Sequence, residues 1–390
     1  MISVEEALAR IFALCEVMGT EEVPLAQAAG RVLAEPVTAR RDQPPFRASV
    51  MDGYAVRADE VAVGASFRVV GEAPAGKAFS GAFGPGDTVR IFTGAPMPEG
   101  ADHVVIQEDV DRDGDRIVLK DTLDPKPNVR PVGADFSVGD SVSAPRRLTP
   151  ADLALVAAMN VPAVSVRRKP VVAILATGDE LVMPGGEPGP DQIIASNAFA
   201  LKAMIEAEGA ESRMLPIARD DAASLAAAFR LAEGADLLLT IGGASVGDYD
   251  LVADAAAGHG MEWAFYKVAM RPGKPLMAGN AGEMVMIGLP GNPVSAIVCG
   301  LIFVLPALRA MLGLGQHAAP RLTAPLAQPL AQNGPREHYM RAVLEDGALT
   351  AMSSQDSSLL SILSRANALI VRPLGDPPRQ PGEIVEYLPL

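Results

Sequence analysis

The spacing of hydrophobic and polar positions changes several times along the chain, and each change predicts a different kind of structure. The segment MISVEEALARIF has apolar residues at helical spacing, and a second helix is predicted from Leu25 to Leu33, after a turn at Pro24. From Gln43 to about Gly133, short alternating runs such as SFRVVGE, DTVRIF and HVVIQEDV are separated by glycine and proline. This alternation is typical of a small antiparallel β domain.

A different pattern begins at Arg168, where continuous apolar runs alternate with helical segments. Strands are predicted in KPVVAILA, RMLPIA, ADLLLTI, WAFYKVA and MVMIGLP, and helices at residues 196–208, 221–233, 251–257 and 293–312. Strands without polar alternation are buried on both faces, so a parallel sheet covered by helices on both sides is expected. From Gly315 onward the short β runs return and predict a C-terminal β domain.

Between the first β region and the α/β region, the segment from Leu148 to Asn160 predicts one more helix. Thr149 is the expected N-cap and Pro150 the first helical residue. A chain of 390 residues is too long for one ordinary core, so two to four domains are expected. The predicted fold class is therefore multidomain α/β plus β, with a central doubly wound parallel α/β domain.

Composition and charge restrict the function only weakly. The net charge of −14 argues against a general nucleic-acid or membrane-surface binder, and an anionic ligand would need a local basic pocket. Cys15 and Cys299 lie far apart and the four histidines are scattered, so we expect no zinc site and a reduced cytoplasmic protein.

The most apolar run, 296–305, is about half the length of a membrane span and precedes Pro306, which predicts a buried helix. The N-terminus has no basic region of a signal peptide.

The loops that follow the predicted α/β strands carry glycines and acids. Ligands of such sheets bind at the carboxyl ends of the strands. There, glycines let backbone N–H groups approach an anion, and the next helix offers its positive end. The acids would need a counter-ion, such as Mg²⁺ bridging to phosphate oxygens. The loops are TGDE (177–180), RDD (219–221), GGAS (242–245) and GLPGNP (288–293).

Each of these motifs also has a simpler interpretation. Residues 243–247 match the G-x-S-x-G pattern of serine hydrolases, but no histidine stands where a triad would need it. A plain strand-to-helix turn, or an anion cradle with acids near a metal, explains the same glycines. Residues 177–181 could be a solvated loop, one acid of residues 220–221 a helix N-cap, and RPGKP (271–275) a stiff turn with solvated cations.

No Walker A loop or G-x-G-x-x-G is present. The residues alone indicate a Mg²⁺-dependent site for a phosphorylated or otherwise anionic small molecule.

Eight motifs, in the same order and over nearly the whole chain, resemble those of the MoeA family, which includes the E domain of gephyrin. They are PPFRASVMDGYAVRA (44–58), RIFTGAPMPEGADHVV (90–105), NVRPVGADFSVGD (128–140), TGDEL (177–181), GGASVGDYD (242–250), PGKP (272–275), GLPGNPVS (288–295) and QDSSLLSILSRANALIV (355–371).

The resemblance implies an enzyme of molybdenum cofactor biosynthesis. Such an enzyme inserts molybdenum from molybdate into adenylylated molybdopterin and releases AMP, with Mg²⁺ required. It also implies a cytoplasmic homodimer whose active sites lie in clefts shared between subunits. A molybdopterin adenylyltransferase upstream and molybdoenzyme maturation proteins downstream are possible partners, and no nucleic acid or membrane is expected. The implied domains are a discontinuous linker and dimerisation domain (1–42 and 134–167), a small β domain (43–133), an α/β molybdopterin-binding domain (168–314) and a C-terminal β domain (315–390).

Site residues are carried over motif by motif. The implied catalytic residues are Glu180, Asp52 and Asp135, and the last two, with Thr93, are expected to reach the cleft of the other subunit. The implied substrate-binding residues are Thr93, Thr177, Gly242, Gly243, Ser245, Asp250, Pro290 and Asn292. The implied molybdate-binding residues are Arg271, Lys274, Pro275, Arg341 and Ser357. The implied metal ligands are Glu180, Asp220 and Asp250.

The chain departs from the family pattern at three of these places. Arg271 stands where many relatives have lysine, and the GED motif reads Gly133-Ala134-Asp135. The motif QGSH reads Gln355-Asp356-Ser357-Ser358, which puts an acid beside the expected molybdate site. Two alternative functions are a molybdopterin adenylyltransferase, although those proteins are short and lack the flanking β domains, and a scaffold protein that has kept the fold.

Overall fold

The computed structural model of the protein describes residues 1–243, 251–258 and 260–390. These residues divide into two compact units. Unit 1 consists of Met1–Glu21, Gly30–Ala34 and Val166–Leu390, and unit 2 of Glu22–Ala29 and Glu35–Ser165. The finer division into four domains stays a prediction.

The helices are numbered in chain order. The α-helices are α1 (Val4–Leu14), α2 (Pro150–Ala158), α3 (Asn197–Ala207), α4 (Ala222–Ala232), α5 (Leu251–Gly258), α6 (Pro293–Cys299), α7 (Leu305–Met311) and α8 (Leu360–Leu363). Short 3₁₀ turns occupy Leu25–Gln27, Ala58–Glu60 and Gln107–Asp109, and a π-helical segment occupies Gly300–Val304.

The strands are likewise numbered in chain order. They are β1 (Thr20–Pro24), β2 (Val32–Leu33), β3 (Val37–Thr38), β4 (Ala48–Ser49), β5 (Gly53–Val56), β6 (Ser66–Ala73), β7 (Asp87–Ile91), β8 (His103–Ile106), β9 (Val110–Asp113), β10 (Arg116–Leu119), β11 (Val129–Arg130), β12 (Ser141–Val142), β13 (Arg146–Arg147), β14 (Ala163–Arg167), β15 (Val171–Ala176), β16 (Leu181–Val182), β17 (Ile193–Ile194), β18 (Glu211–Met214), β19 (Leu237–Ile241), β20 (Met261–Phe265), β21 (Met270–Arg271), β22 (Met277–Ala281), β23 (Met284–Leu289), β24 (Leu322–Pro325), β25 (Glu337–Glu345), β26 (Ala348–Ala351), β27 (Ala368–Arg372) and β28 (Ile384–Pro389).

Unit 2 contains a six-stranded sheet in the order β8-β5-β7-β6-β10-β9. Both faces of β5 are covered, because Tyr54 and Val56 pack in one apolar cluster and Ala55 in another. The prediction of a purely antiparallel sheet was wrong in one respect, since β6 and β7 run parallel. The 13-residue connection from Pro74 to Gly86 is long enough to return the chain to the same end of the sheet.

Unit 1 is built around a second six-stranded sheet, in the order β18-β15-β19-β23-β22-β20. The first four strands are parallel, and β22 and β20 extend the sheet as antiparallel strands. Successive residues of β15 face opposite sides. Ile174 packs with α3, α6 and α7, whereas Leu175 packs with α4 and α5. The predicted doubly wound α/β class is therefore confirmed, with an antiparallel edge that the apolar pattern did not predict.

Helix boundaries follow the capping residues where these are strong. Thr149 caps α2 through a reciprocal capping box with Asp152, and Asp221 caps α4 by accepting a 2.8 Å hydrogen bond from Ser224 N–H. The helix predicted from Leu25 to Leu33 was wrong. Only a 3₁₀ turn forms there, because Gly30 adopts a positive φ of 70° before the chain enters β2.

Among the described residues, one helical stretch is apolar and long enough to cross a membrane by composition alone. It is Pro293–Met311, with a mean hydropathy of 2.1, and 78% of that window is buried inside the protein. The stretch joins α6, the π segment and α7. It continues through Pro306, because a hydrogen bond of the π type, from Leu305 N–H to Gly300 O, lies just before the proline. The predicted buried helix is thus confirmed as a core element of unit 1.

The C-terminal sheet of unit 1 has the order β21-β25-β27-β28-β24, and β26 pairs with β25. Strand β21 comes from the α/β region and runs parallel to β25, with Arg271 paired to His338. Tyr339 and Leu369 of this sheet belong to the same apolar core as Ile174 and Phe303. One continuous core therefore fixes the C-terminal strands against the α/β sheet.

Candidate active site

The loops at the carboxyl ends of the parallel strands are joined directly to one another. Thr177 N–H donates to Ile241 O over 3.0 Å, and Gly178 N–H donates to Ala218 O over 3.1 Å. Gly242 N–H donates to Leu289 O over 3.1 Å. The loops that follow β15, β18, β19 and β23 therefore meet at one edge of the sheet.

A cavity of about 650 Å³ opens at this edge. Its volume lies in the usual range for a small-molecule site. Asn197, at the start of α3, braces one wall by donating a 2.7 Å hydrogen bond to Gly291 O. The predicted site residues that line the cavity are Thr177, Glu180, Gly242, Gly243, Lys274, Pro275, Pro290 and Asn292.

Two glycines form the turn after β19. Gly242 and Gly243 have positive φ values of 87° and 68°, where residues with a Cβ are strained. A Cβ on Gly243 would lie 2.3 Å from Val252 Cγ2 and 2.9 Å from Thr177 Oγ1. The Thr177 hydroxyl is buried and has no hydrogen-bond partner among the described residues. An unsatisfied donor beside a glycine turn suits an anion such as phosphate.

Acidic side chains gather at the loops after β15 and β18. The Glu180 carboxylate folds back over Gly178, where an added Cβ would lie 2.4 Å from Oε2. Asp220 N–H donates to Asp179 Oδ1 over 3.4 Å. Burial, followed by the charges of Asp179 and Glu180, raises the pKa of Asp220. The loops thus concentrate negative charge at the cavity edge, as a cation site would.

The predicted Mg²⁺ ligands are only partly covered by the described residues. Asp250 lies outside them, and within residues 1–243, 251–258 and 260–390 no group of three His, Cys, Asp or Glu side chains is placed to hold a metal. Mg²⁺ is commonly held by one or two carboxylates together with water and substrate phosphates. Burial and then the charges of Asp179 and Glu180 raise the pKa of Asp220, and a divalent cation would offset both effects, so Glu180 and Asp220 fit such an ion.

A second cavity of about 480 Å³ lies beside the first and shares Lys274 and Asn292 with it. The predicted molybdate residues Arg271 and Ser357 line it, whereas Pro275 lines the larger cavity. The residues that line the second cavity are Arg271, Pro272, Gly273, Lys274, Asn292, Ser295, Arg336, Gln355, Asp356 and Ser357. We call it the cationic cavity, since three of its side chains are positively charged in a protein with a net charge of −14.

Arg341 is 1% exposed and interacts electrostatically with Arg271 and Asp356, two residues that line the cationic cavity. Burial lowers the pKa of Arg341, Asp356 raises it, and Arg271 lowers it. The guanidinium Nη2 donates to Ser354 O over 3.3 Å, but Nε and Nη1 are buried without a partner among the residues described. A buried guanidinium with unused donors is suited to an anion.

The neighbouring His338 is buried and neutral. Burial first, and then the charges of Arg271, Arg341, Arg372 and Arg336, together lower its pKa to about 4. Cations from several strands therefore converge on this region of unit 1.

Three family models match successive parts of the chain. The MoeA N-terminal region (domain I and II) matches residues 2–160, a probable molybdopterin binding domain matches residues 173–310, and the MoeA C-terminal region (domain IV) matches residues 323–390. The chain belongs to the MoeA family. Together the three models account for almost its whole length in the family's order.

Relatives of this MoeA family chain carry consistent names. A molybdopterin molybdenumtransferase from Nostoc sp. is 38% identical over 373 residues, which is 92% of this chain and 86% of the relative. A molybdopterin molybdenumtransferase from Bacillus subtilis is 34% identical over 99% of this chain and 94% of its own. The crystal structure of the molybdopterin biosynthesis MoeA protein from Pyrococcus horikoshii OT3 is 28% identical, with a TM-score of 0.85 and 100% coverage of both chains.

The remaining site residues implied by the MoeA resemblance lie elsewhere. In unit 2, the Asp52 carboxylate accepts hydrogen bonds of 2.7 Å from both the N–H and the hydroxyl of Thr93, and these bonds lower its pKa. Asp135 N–H donates to Gln43 O over 2.9 Å. Their expected role in the cleft of a second subunit stays a prediction. Ser245, like Asp250, lies outside the described residues.

Several lining residues were missed by sequence reasoning. Ile193, Ile194, Asn197 and Ser358 line the larger cavity, and Arg336 lines the cationic one. Ser358 directly follows the predicted Ser357, so the two neighbouring serines face different cavities. Arg336 carries no motif around it, and only the pairing of β25 with β21 brings it near Arg271.

Proposed function

We propose that this MoeA family chain inserts molybdenum into adenylylated molybdopterin, using molybdate and Mg²⁺ and releasing AMP. The observation that carries the proposal is the pair of adjoining cavities that share Lys274 and Asn292. One has glycine turns and acids suited to a metal-bound pyrophosphate, and the other has cations suited to a tetrahedral oxyanion. The names of the relatives from Nostoc and Bacillus support the same transferase activity.

The larger cavity is the proposed place of the molybdopterin nucleotide. The turn at Gly242 and Gly243 lines this cavity without side chains, so a phosphate can approach its backbone, and the Thr177 hydroxyl, which has no partner among the described residues, can donate to it. Glu180 and Asp220, with Asp250 as a third candidate, would hold Mg²⁺. When bound, the ion would neutralise charge on the phosphate leaving group.

The cationic cavity is the proposed molybdate site. Arg271 and Lys274 provide charge from one loop, and the buried Arg341 adds donors that have no partner among the described residues. Because Lys274 lines both cavities, it is placed to contact an oxyanion on one side and the nucleotide on the other. This arrangement brings the two substrates within reach of each other, which is the main requirement for joining them.

We also propose a cytoplasmic homodimer in which Asp52, Thr93 and Asp135 of a second copy complete the cleft. The supporting observation is that Thr93 fixes the Asp52 carboxylate in its ionised form through two hydrogen bonds. A molybdopterin adenylyltransferase as substrate donor and maturation proteins as acceptors belong to the same proposal. The matches to the N-terminal and C-terminal MoeA regions argue against a stand-alone adenylyltransferase.

The test is an assay of AMP release from adenylylated molybdopterin with Mg²⁺, in the presence and absence of molybdate. We expect release to depend on molybdate, and molybdate-independent or absent release would contradict the proposal. Lys274→Met should raise the KM for molybdate at least about tenfold, because it removes a cation from the site. Lys267→Met is the matched control, since Lys267 is exposed and lines neither cavity.

A further inference from the structure

A carboxylate lies among the cations of the cationic cavity. Among the residues that the structure describes, Asp356 is the one acid that lines it, beside Arg271, Lys274 and Arg336. Its effect on an oxyanion has to be opposite to that of its neighbours, since a carboxylate repels the anion that the three cations attract.

Local hydrogen bonds fix the Asp356 carboxylate in place. Its Oδ1 accepts from Ser358 N–H over 2.9 Å and from Ser358 Oγ over 2.8 Å. These two bonds stabilise the charged form, and they lower the pKa of Asp356. The carboxylate is exposed and ionised at neutral pH, so it presents a fixed negative charge at the cavity.

That charge acts on the cations around it. Arg341 lies within its field: burial lowers the pKa of this guanidinium, and the charge of Asp356 opposes that shift. The carboxylate oxygens only accept hydrogen bonds, and a fully ionised oxyanion such as molybdate or sulfate has no proton to donate to them. Asp356 therefore offers such an anion repulsion without a compensating hydrogen bond.

We propose that Asp356 is an affinity-determining residue of the cationic cavity, a built-in counter-ion that lowers its affinity for doubly charged tetrahedral oxyanions. The proposal rests on the proposed function in one respect, that this cavity takes an oxyanion. A unit charge a few ångströms from a dianion changes affinity by about tenfold or more at surface-like dielectric values. The three cations of the cavity attract the anion, and the charge of Asp356 lowers the affinity with which it binds.

The experiment measures binding of sodium molybdate and sodium sulfate to the full chain by calorimetry at neutral pH and low salt. Asp356→Asn should bind both anions about tenfold more tightly than the unmodified protein, because the amide keeps the acceptor for Ser358 and loses the charge. Asp356→Glu keeps the charge and should bind as weakly as the unmodified protein. At high salt the gain in Asp356→Asn should shrink, since screening weakens the repulsion.

Asp346→Asn is the matched control. Asp346 is exposed in the turn between β25 and β26, lines neither cavity, and has a positive φ of 49° that asparagine tolerates. This variant makes the same change in net charge and should leave both affinities unchanged. An equal gain in Asp346→Asn would show that net charge, and not the position of Asp356, controls binding, and would overturn the proposal.

The two proposals fail in different ways. If the unmodified protein and Asp356→Asn bind molybdate with equal affinity, the role of Asp356 is wrong while the oxyanion site stands. If neither variant binds molybdate or sulfate, the oxyanion site itself is wrong, and the role of Asp356 falls with it. Thermal unfolding of each variant checks that the cavity is still folded.

Discussion

The side chain of Asn292 donates a 3.1 Å hydrogen bond to Ser357 Oγ. Asn292 lies at the start of α6, at the edge of the parallel sheet, and Ser357 precedes α8 in the C-terminal part of unit 1. A backbone bond of 3.0 Å from Val294 N–H to Ser357 O strengthens the same contact. Two segments more than sixty residues apart thus form a common wall of the cationic cavity.

Ser357→Ala should loosen this wall without unfolding the protein. The loss of one partly exposed hydrogen bond costs about 1 kcal/mol of unfolding free energy. We expect the KM for molybdate to rise several-fold, because Asn292 loses the partner that orients it. Steady-state AMP release at varied molybdate measures the effect. Ser361→Ala, an exposed serine in α8, is the control and should leave the KM unchanged.

Glu180→Gln should lower kcat at least about a hundredfold, since the variant loses the charge proposed to hold Mg²⁺. Because Glu180 is exposed, the substitution should change the unfolding free energy of the protein by less than about 0.5 kcal/mol. Single-turnover AMP release and chemical denaturation measure the two quantities. Glu187→Gln, at an exposed position between β16 and β17 and outside both cavities, should keep normal turnover. Full activity in Glu180→Gln would exclude the assigned role.

Gly243→Ala tests whether the glycine turn is required for the substrate. The new methyl group would lie 2.3 Å from Val252 Cγ2 at a positive φ of 68°, so the turn has to shift. We expect a large loss of nucleotide affinity together with about 1–2 kcal/mol of destabilisation.

The control for this change is Gly234→Ala. Gly234 has a similar φ of 75°, but no atom of the described residues lies within 4 Å of an added Cβ. It should lose a comparable amount of stability and keep its nucleotide affinity, as measured by equilibrium binding. Equal loss of affinity in both variants would show that backbone strain alone explains the result.

His338 should make stability depend on pH between about 4 and 6.5. Burial first, and then the charges of Arg271, Arg341, Arg372 and Arg336, lower its pKa from 6.5 to about 4 in the folded protein. The unfolded chain binds the proton first as pH falls, so the unfolding free energy decreases from pH 6.5 toward pH 4.

His338→Gln should flatten this dependence, because it removes the group that titrates. Urea unfolding at several pH values measures the slope, and His317→Gln, at an exposed position, is the control that should keep it. An unchanged slope in His338→Gln would assign the dependence to other groups.

Mixing inactive Asp52→Asn and Glu180→Gln variants tests the shared cleft. If each site takes Asp52 from one subunit and Glu180 from the other, hybrid dimers contain one intact site and should recover part of the AMP release. Differently tagged subunits show whether exchange has occurred. Exchange without any recovery would contradict a site built from two copies.

Continuous apolar runs predicted the buried parallel strands, because a strand covered on both faces leaves no position for polar residues. The same runs located Thr177 and Gly242 at strand ends, and the sheet brings them together. The prediction of a helix from Leu25 to Leu33 was wrong, since the positive φ of Gly30 outweighed the apolar spacing of the segment. Local patterns thus predicted elements well where burial and spacing agreed.

The amino-acid sequence by itself determined the family, the doubly wound α/β class and the strand-end loops of the larger cavity. These follow from the order of residues along single segments. Only the tertiary structure decided that Arg271 pairs with His338 across β21 and β25, that Arg341 is buried with donors unpaired within the described part of the chain, and that Asp356 lies among the cations. Those contacts join β21, β25 and the loop before α8, and their energy depends on burial and on charges from distant segments, which local spacing does not specify.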